Sequence, residues 1–122
     1  MTEEQTALAR RAVACKGWRW MPGMKVIDSV RMTEGMLKFT HHSDLPDLTD
    51  PATLGCLLAL VREAWGAPRA LVRLSANGKS FHVFDVDRVT MGGNWAAFLC
   101  GDRNHRTEAH ALVAALEAAP AQ

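Results

Sequence analysis

A chain of 122 residues, 48% of them hydrophobic, holds enough apolar material for one core and can bury roughly two-thirds of its unfolded surface without metal or disulfide staples. The 14 Lys and Arg against 13 Asp and Glu leave a net charge of only +1, short of the basic surplus that phosphate neutralisation asks of a dedicated nucleic-acid binder. Cys15, Cys56 and Cys100 are far apart with no C-x-x-C pair, which argues against a disulfide framework and for buried, reduced thiols.

The first residues are polar and acidic, and the longest apolar run, Leu57 to Val61, is too short to span a bilayer. The expectation is a single cytoplasmic domain over residues 1–122, with no membrane partner and no cofactor.

Thr2 and Gln5 have capping-box spacing, and Leu8, Ala12 and Cys15 follow as a narrow apolar stripe, so the chain opens on a helix with Gly17 as a left-handed stop. Trp18-Arg19-Trp20-Met21-Pro22-Gly23 reads as an aromatic connector ending in a Pro-Gly turn. Lys25 to Val30 predicts a first strand and Met36 to Thr40 a second, joined by a turn at Glu34-Gly35. His41 to Asp50 is a polar, turn-rich loop.

Asp50 or Thr49 then caps a second helix with Pro51 in its first position, and Gly66 and Pro68 end it. Leu54, Leu57, Leu58, Val61 and Trp65 share one face of this helix. Ala70–Ala76 and Lys79–Val86 flank Asn77-Gly78, the pair suited to a two-residue hairpin turn. That register sets Val72 against Val83 and Leu74 against Phe81 on an apolar face for helices to cover. Leu71 with Phe84, Arg73 with His82, and Ser75 with Ser80 fall on the other, mixed face.

Gly92-Gly93-Asn94 predicts a turn into a strand over Trp95–Cys100. Thr107 caps a last helix, with Ala109, Leu112, Val113 and Leu116 buried and Pro120 beyond its end. The expected fold is α+β, an antiparallel sheet layered with helices in the order α-β-β-α-β-β-β-α, as a two-layer or three-layer α/β sandwich.

Few residues carry chemistry. His41, His42 and Asp44, with Asp47 and Asp50 nearby, are the densest group of metal-type ligands, but adjacent histidines diverge and no spaced partner completes a set. Cys100, Asp102, His105 and His110 match no nucleophile spacing, and Gly92-Gly93 lacks the residues of a phosphate loop. Trp18, Arg19 and Trp20, downstream of Arg10, Arg11 and Lys16, form the basic-aromatic cluster. Such residues pack a sheet edge, anchor a protein partner or stack on bases. Arg73 and His82 extend that surface if their sheet face is open.

Ala14-Cys15-Lys16-Gly17-Trp18-Arg19-Trp20-Met21-Pro22-Gly23-Met24, the run from Leu45 to Gly55 continuing to Trp65-Gly66, and the closing Glu108–Ala119 segment together resemble small accessory proteins of tailed bacteriophages and prophages of the phage "ABA sandwich" type. The resemblance implies a sheet between helical layers and supplies no catalytic residues. It also implies a role in an infected or lysogenic bacterial cell. The reading that follows is a non-catalytic accessory protein that binds a host or phage protein, in its most specific form an anti-CRISPR-like inhibitor of a bacterial defence system. The alternatives are a nucleic-acid-associated factor acting through Trp18, Arg19 and Trp20, and a small metal-dependent enzyme using His41 and His42. A homodimer through an uncovered strand edge is also open.

Overall fold

The structure, a computed structural model, describes residues 2–41, 43–76, 78–88, 98–99 and 105–120. Asn77, His42, Gly92-Gly93-Asn94, Trp95, Cys100 and Asp102 therefore lie outside the described residues. Helix α1 spans Glu3–Ala14, α2 Pro51–Trp65 and α3 Glu108–Ala118. Strands β1 (Leu71–Leu74) and β2 (Phe81–Phe84) form a two-stranded antiparallel sheet. The α+β class expected from the sequence is present, built from helices and this hairpin.

Local signals position the helices. The Thr2 side chain accepts from the Gln5 N–H while the Gln5 side chain accepts from the Thr2 N–H, closing the capping box at the start of α1. The Asp50 carboxylate accepts from the Thr53 N–H, Pro51 opens α2, and Gly66 closes it at φ +60°. The Thr107 hydroxyl accepts from the His110 N–H at the start of α3. Every orphan donor these caps satisfy would otherwise weaken a helix end.

Gly17 departs from its expected role. Helix α1 already ends at an extended Cys15, and Gly17 has no positive φ. It is small because a Cβ there would lie 3.0 Å from Leu116 Cδ1 and 3.3 Å from Ala64 Cβ, where the chain runs tightly over α2 and α3. The buried face of α2 is likewise rotated from the stripe read in the sequence. Thr53, Leu57, Leu60, Val61 and Ala64 are buried, whereas Leu54, Leu58 and Trp65 stand at the half-buried margin.

The first predicted hairpin is replaced. Lys25 and Val26 make only isolated bridges, to Arg31 and Pro46, and Asp28 turns the chain at φ +54°. Residues 23–32 instead form a tight loop. Its Met24 and Met32 are buried, with Met32 N–H donating to Met24 C=O at 2.7 Å and Gly23 N–H to Met32 C=O at 2.8 Å. Glu34–Phe39 is a 3₁₀ helix rather than a strand. The physical reason is composition. Met36, Leu37 and Lys38 carry none of the β-branching that favours strands, and Asp28-Ser29 breaks the Val26-Ile27 pair with turn chemistry.

The second hairpin has the expected register, Leu71 with Phe84, Val72 with Val83, Arg73 with His82 and Leu74 with Phe81. Ser75 N–H donates to Ser80 C=O at 2.8 Å, and Gly78, at φ +71°, donates to Ser75 C=O at 2.9 Å to tighten the loop. Beyond β2, Leu99 N–H donates to Val83 C=O, and Phe81 and His105 exchange two backbone bonds. Phe98 and Leu99, the described part of the predicted Trp95–Cys100 strand, thus lie against β2, where Phe98 bridges Phe84.

Helix α3 is the centre of the molecule and touches α1, α2, β1 and β2. Its buried residues, Ala109, Ala111, Leu112, Val113, Ala115 and Leu116, surround most of the helix, and the alanines let neighbouring elements approach from several sides. Leu57, Leu60, Val83, Leu99 and Leu112 are all essentially inaccessible. Each such side chain stabilises the fold by roughly 1.5–3 kcal/mol relative to exposure. Among the described residues no helix is long and apolar enough to cross a membrane.

Candidate functional site

The basic-aromatic cluster is not an open platform. Trp18 and Trp20 are half-buried against the core and meet edge to face at 5.5 Å. Trp18 Nε1 is buried with no hydrogen-bond partner among the described residues. Arg19 reaches back to Glu63 on α2 at 2.7 Å. Arg19 therefore ties the connector to α2, and the faces of the two tryptophans are partly consumed by each other and by the core.

In the polar loop, His41 Nδ1 lies 2.7 Å from the Ser43 hydroxyl, and the Asp44 carboxylate accepts from the His41 N–H at 2.7 Å. Asp44 is thus occupied in closing the turn. Asp47 accepts from the Thr49 N–H and hydroxyl and pairs with Lys25 at 3.4 Å. Asp50 takes a two-pronged contact from Arg31 at 2.8 and 2.9 Å. Among the described residues no three His, Cys, Asp or Glu side chains are grouped to hold a metal ion. His110 is likewise engaged, with Nδ1 at 2.6 Å from the Thr107 hydroxyl and Nε2 at 3.2 Å from Glu4. His105 contributes its backbone to β2.

The mixed face of the hairpin carries a more specific arrangement. Register places Arg73 beside His82, and Arg73 Nε donates to His82 Nε2 at 3.2 Å. The guanidinium carbon lies 3.8 Å from the centre of the Phe84 ring, a close cation–π stack. Phe98 closes the group, 5.0 Å from His82 and 5.4 Å from Phe84, both edge to face. Arg73 is exposed while His82 and Phe84 are buried, so a cation is fixed on an aromatic floor. Burial, and then the Arg73 charge, push the His82 pKa down. A guanidinium has no lone pair to offer, so the lone pair is on His82 Nε2 and the proton of the neutral ring is on Nδ1. That Nδ1 is buried without a partner among the described residues.

Exposed large apolar side chains occur in two places, Val30 and Phe39 on the 23–40 segment and three more beside this face. Leu71 and Leu74 on β1 are 40% and 54% accessible, and Val86 just past β2 is 47% accessible. The sequence register had placed Leu74 on the face for helices to cover, but only its neighbours Val72, Phe81 and Val83 gain that cover. Arg73 and His82, singled out from the sequence, are brought together. Trp18, Arg19 and Trp20 have other partners and do not join them. Sequence reasoning missed the exposure of Leu74, which it had put on the covered face, left that of Leu71 on the mixed face undecided, and missed Phe98 as the lid on that face. It also missed a cleft of about 380 Å³ beside α3, lined by Leu8, Leu48, Leu54 and Phe81 with Arg106 and His110, because its walls come from distant segments. Against protein-family models, curated proteins and solved structures, the chain has no match.

Proposed function

We propose that this chain is a non-catalytic binding protein that engages a protein partner through the β1 side of its hairpin. The observation that carries this reading is the combination of exposed Leu71 and Leu74 with Arg73 stacked on Phe84. Apolar side chains beside an ordered arginine are the composition of an interface anchor. The likeness to bacteriophage accessory proteins supplies the setting: a host or phage protein in the cytoplasm of an infected or lysogenic cell, with inhibition of a bacterial defence system as its most specific form. That step is analogy and rests on no residue of the site.

The nucleic-acid alternative has less support, since Arg19 is neutralised by Glu63 and both tryptophans pack inward. The metal-enzyme alternative rests on His41, whose Nδ1 lies against Ser43, and on His42, which is outside the described residues.

Affinity capture from a bacterial host lysate at two salt concentrations tests the reading. A stoichiometric protein partner retained by the native chain and lost with Leu74→Asp is the expected result. Recovery of nucleic acid alone, released by salt, or of no partner at all, overturns it.

A further inference from the structure

The phase of the hydrogen-bond ladder fixes which backbone groups of β1 point away from β2. Ser75 and Ser80 face each other as a bonded pair, so Arg73–His82 and Leu71–Phe84 are bonded pairs too. The N–H and C=O groups of Val72 and Leu74 then point away from β2. The opposite edge confirms the phase, because Phe81 and Val83, the outward residues of β2, bond to His105 and Leu99. Among the described residues, β1 pairs with β2 alone. Its outer edge is a row of donors and acceptors flanked by exposed Leu71 and Leu74.

Arg73 sits in the middle of this row. Arg11, Arg19, Arg31, Arg69, Arg88 and Arg106 each pair with a carboxylate; among the described residues Arg73, like Arg10 and Arg62, does not. Its Nε is tied to His82 and its plane to Phe84, which fixes the guanidinium and leaves its two terminal nitrogens without a carboxylate among the described residues. A guanidinium matches a carboxylate in two-pronged geometry.

We infer that the outer edge of β1 takes up an extended segment of another protein as an added strand, with an acidic side chain of that segment held by Arg73. The inference rests on the proposed protein-binding role and specifies its partner. Strand addition supplies main-chain bonds at Val72 and Leu74, and side chains opposite the strand supply selectivity. The residue across from Arg73 falls on the guanidinium face. Its two neighbours fall on the face of Val72 and Leu74. The matching segment therefore reads apolar–acidic–apolar. A second copy of this chain does not meet that requirement. From Ala64 to Phe84 there is no Asp or Glu, so edge-to-edge self-pairing offers Arg73 no carboxylate.

Panning the full chain against a displayed library of short random peptides tests the inference. The enriched peptides should share an acidic residue between apolar ones. Their affinity should fall about tenfold or more with Arg73→Met, which keeps the apolar stem but loses the two-pronged bond. Panning Arg73→Glu afresh should enrich Lys or Arg at the same place. Leu74→Pro deletes an N–H that has no partner among the described residues, so binding should vanish while the unfolding temperature holds. If that variant does not fold, the charge exchange at Arg73 still decides.

No enrichment, enrichment without charge preference, or the same peptides selected by Arg73→Glu overturns the inference. So does a homodimer in light scattering that Arg73→Glu or Leu74→Pro dissociates. If a lysate partner is still captured when these peptide results fail, the binding role stands and the strand-edge mode is removed; loss of both removes both.

Discussion

Replacing His82 by phenylalanine isolates the energetics of the mixed face. The imidazole is buried, its Nε2 accepts from Arg73, and its Nδ1–H has no partner among the described residues. A buried orphan donor costs about 1–3 kcal/mol, and a typical hydrogen bond contributes about 0.5–1.5 kcal/mol. His82→Phe removes the orphan and forfeits the Arg73 bond, but Arg73 is exposed and recovers water in exchange. A phenyl ring also keeps the edge-to-face contacts with Phe98 and Phe84. The balance is a stability gain of about 0–2 kcal/mol. Urea unfolding followed by tryptophan fluorescence measures it.

The pH dependence gives a second reading of the same substitution. The folded-state pKa of His82 is lowered by burial first and Arg73 second, so the unfolded chain binds the proton more readily. The native protein loses stability as pH falls from the ordinary histidine value toward the depressed one, and keeps its full contribution above that window. His82→Phe should therefore gain on the native chain as pH drops below about 6.5. A loss of more than about 1 kcal/mol at neutral pH would show that Nδ1–H is satisfied in the folded protein, and an unchanged pH profile would show that folding does not lower the His82 pKa; either refutes the argument.

Other outcomes follow from the packing and caps. Leu112→Ala, at the centre of α3, should cost about 3–5 kcal/mol by the same urea assay, because the surrounding helices and hairpin cannot all collapse into the gap. Gly17→Ala and Gly66→Ala should both destabilise by about 1 kcal/mol, but for different reasons. Leu116→Ala should relieve the first, where a Cβ meets Leu116, and leave the second, where φ is +60° in open space. Double-mutant cycles in thermal unfolding check this. Asp50 is held well below the carboxylate range, chiefly by Arg31 and with the Thr53 bonds adding to it. Its stabilisation is present above the unfolded carboxylate value and is lost as pH falls through the folded one, so Asp50→Asn should flatten the acid end of the stability profile below about pH 4.

Signals confined to a few neighbouring residues were legible in the sequence. The Thr2–Gln5 box, the Asp50-Pro51 start, the Gly66 stop and the Thr107 cap each act over one turn, so the residues that decide them are adjacent. The β1–β2 register was legible for a related reason. Side-chain alternation of period two, with a turn at Gly78, leaves one pairing that keeps Val72 and Val83 together. That register also put Arg73 beside His82.

Tertiary structure decided the rest. Segment 25–40 has weak local preference, and its shape comes from distant partners, as where Ile27 bonds Leu45 and Arg31 grips Asp50. Gly17 is a packing glycine because Leu116, about a hundred residues away, passes over it. Whether the mixed face was open depended on Phe98, and whether Leu74 was covered depended on the reach of α3. Burial depends on the arrangement of all the elements together. The sequence therefore determined which residues share a strand pair, and only the fold left Arg73 stacked on Phe84, with neither a carboxylate nor a second strand beside it among the described residues.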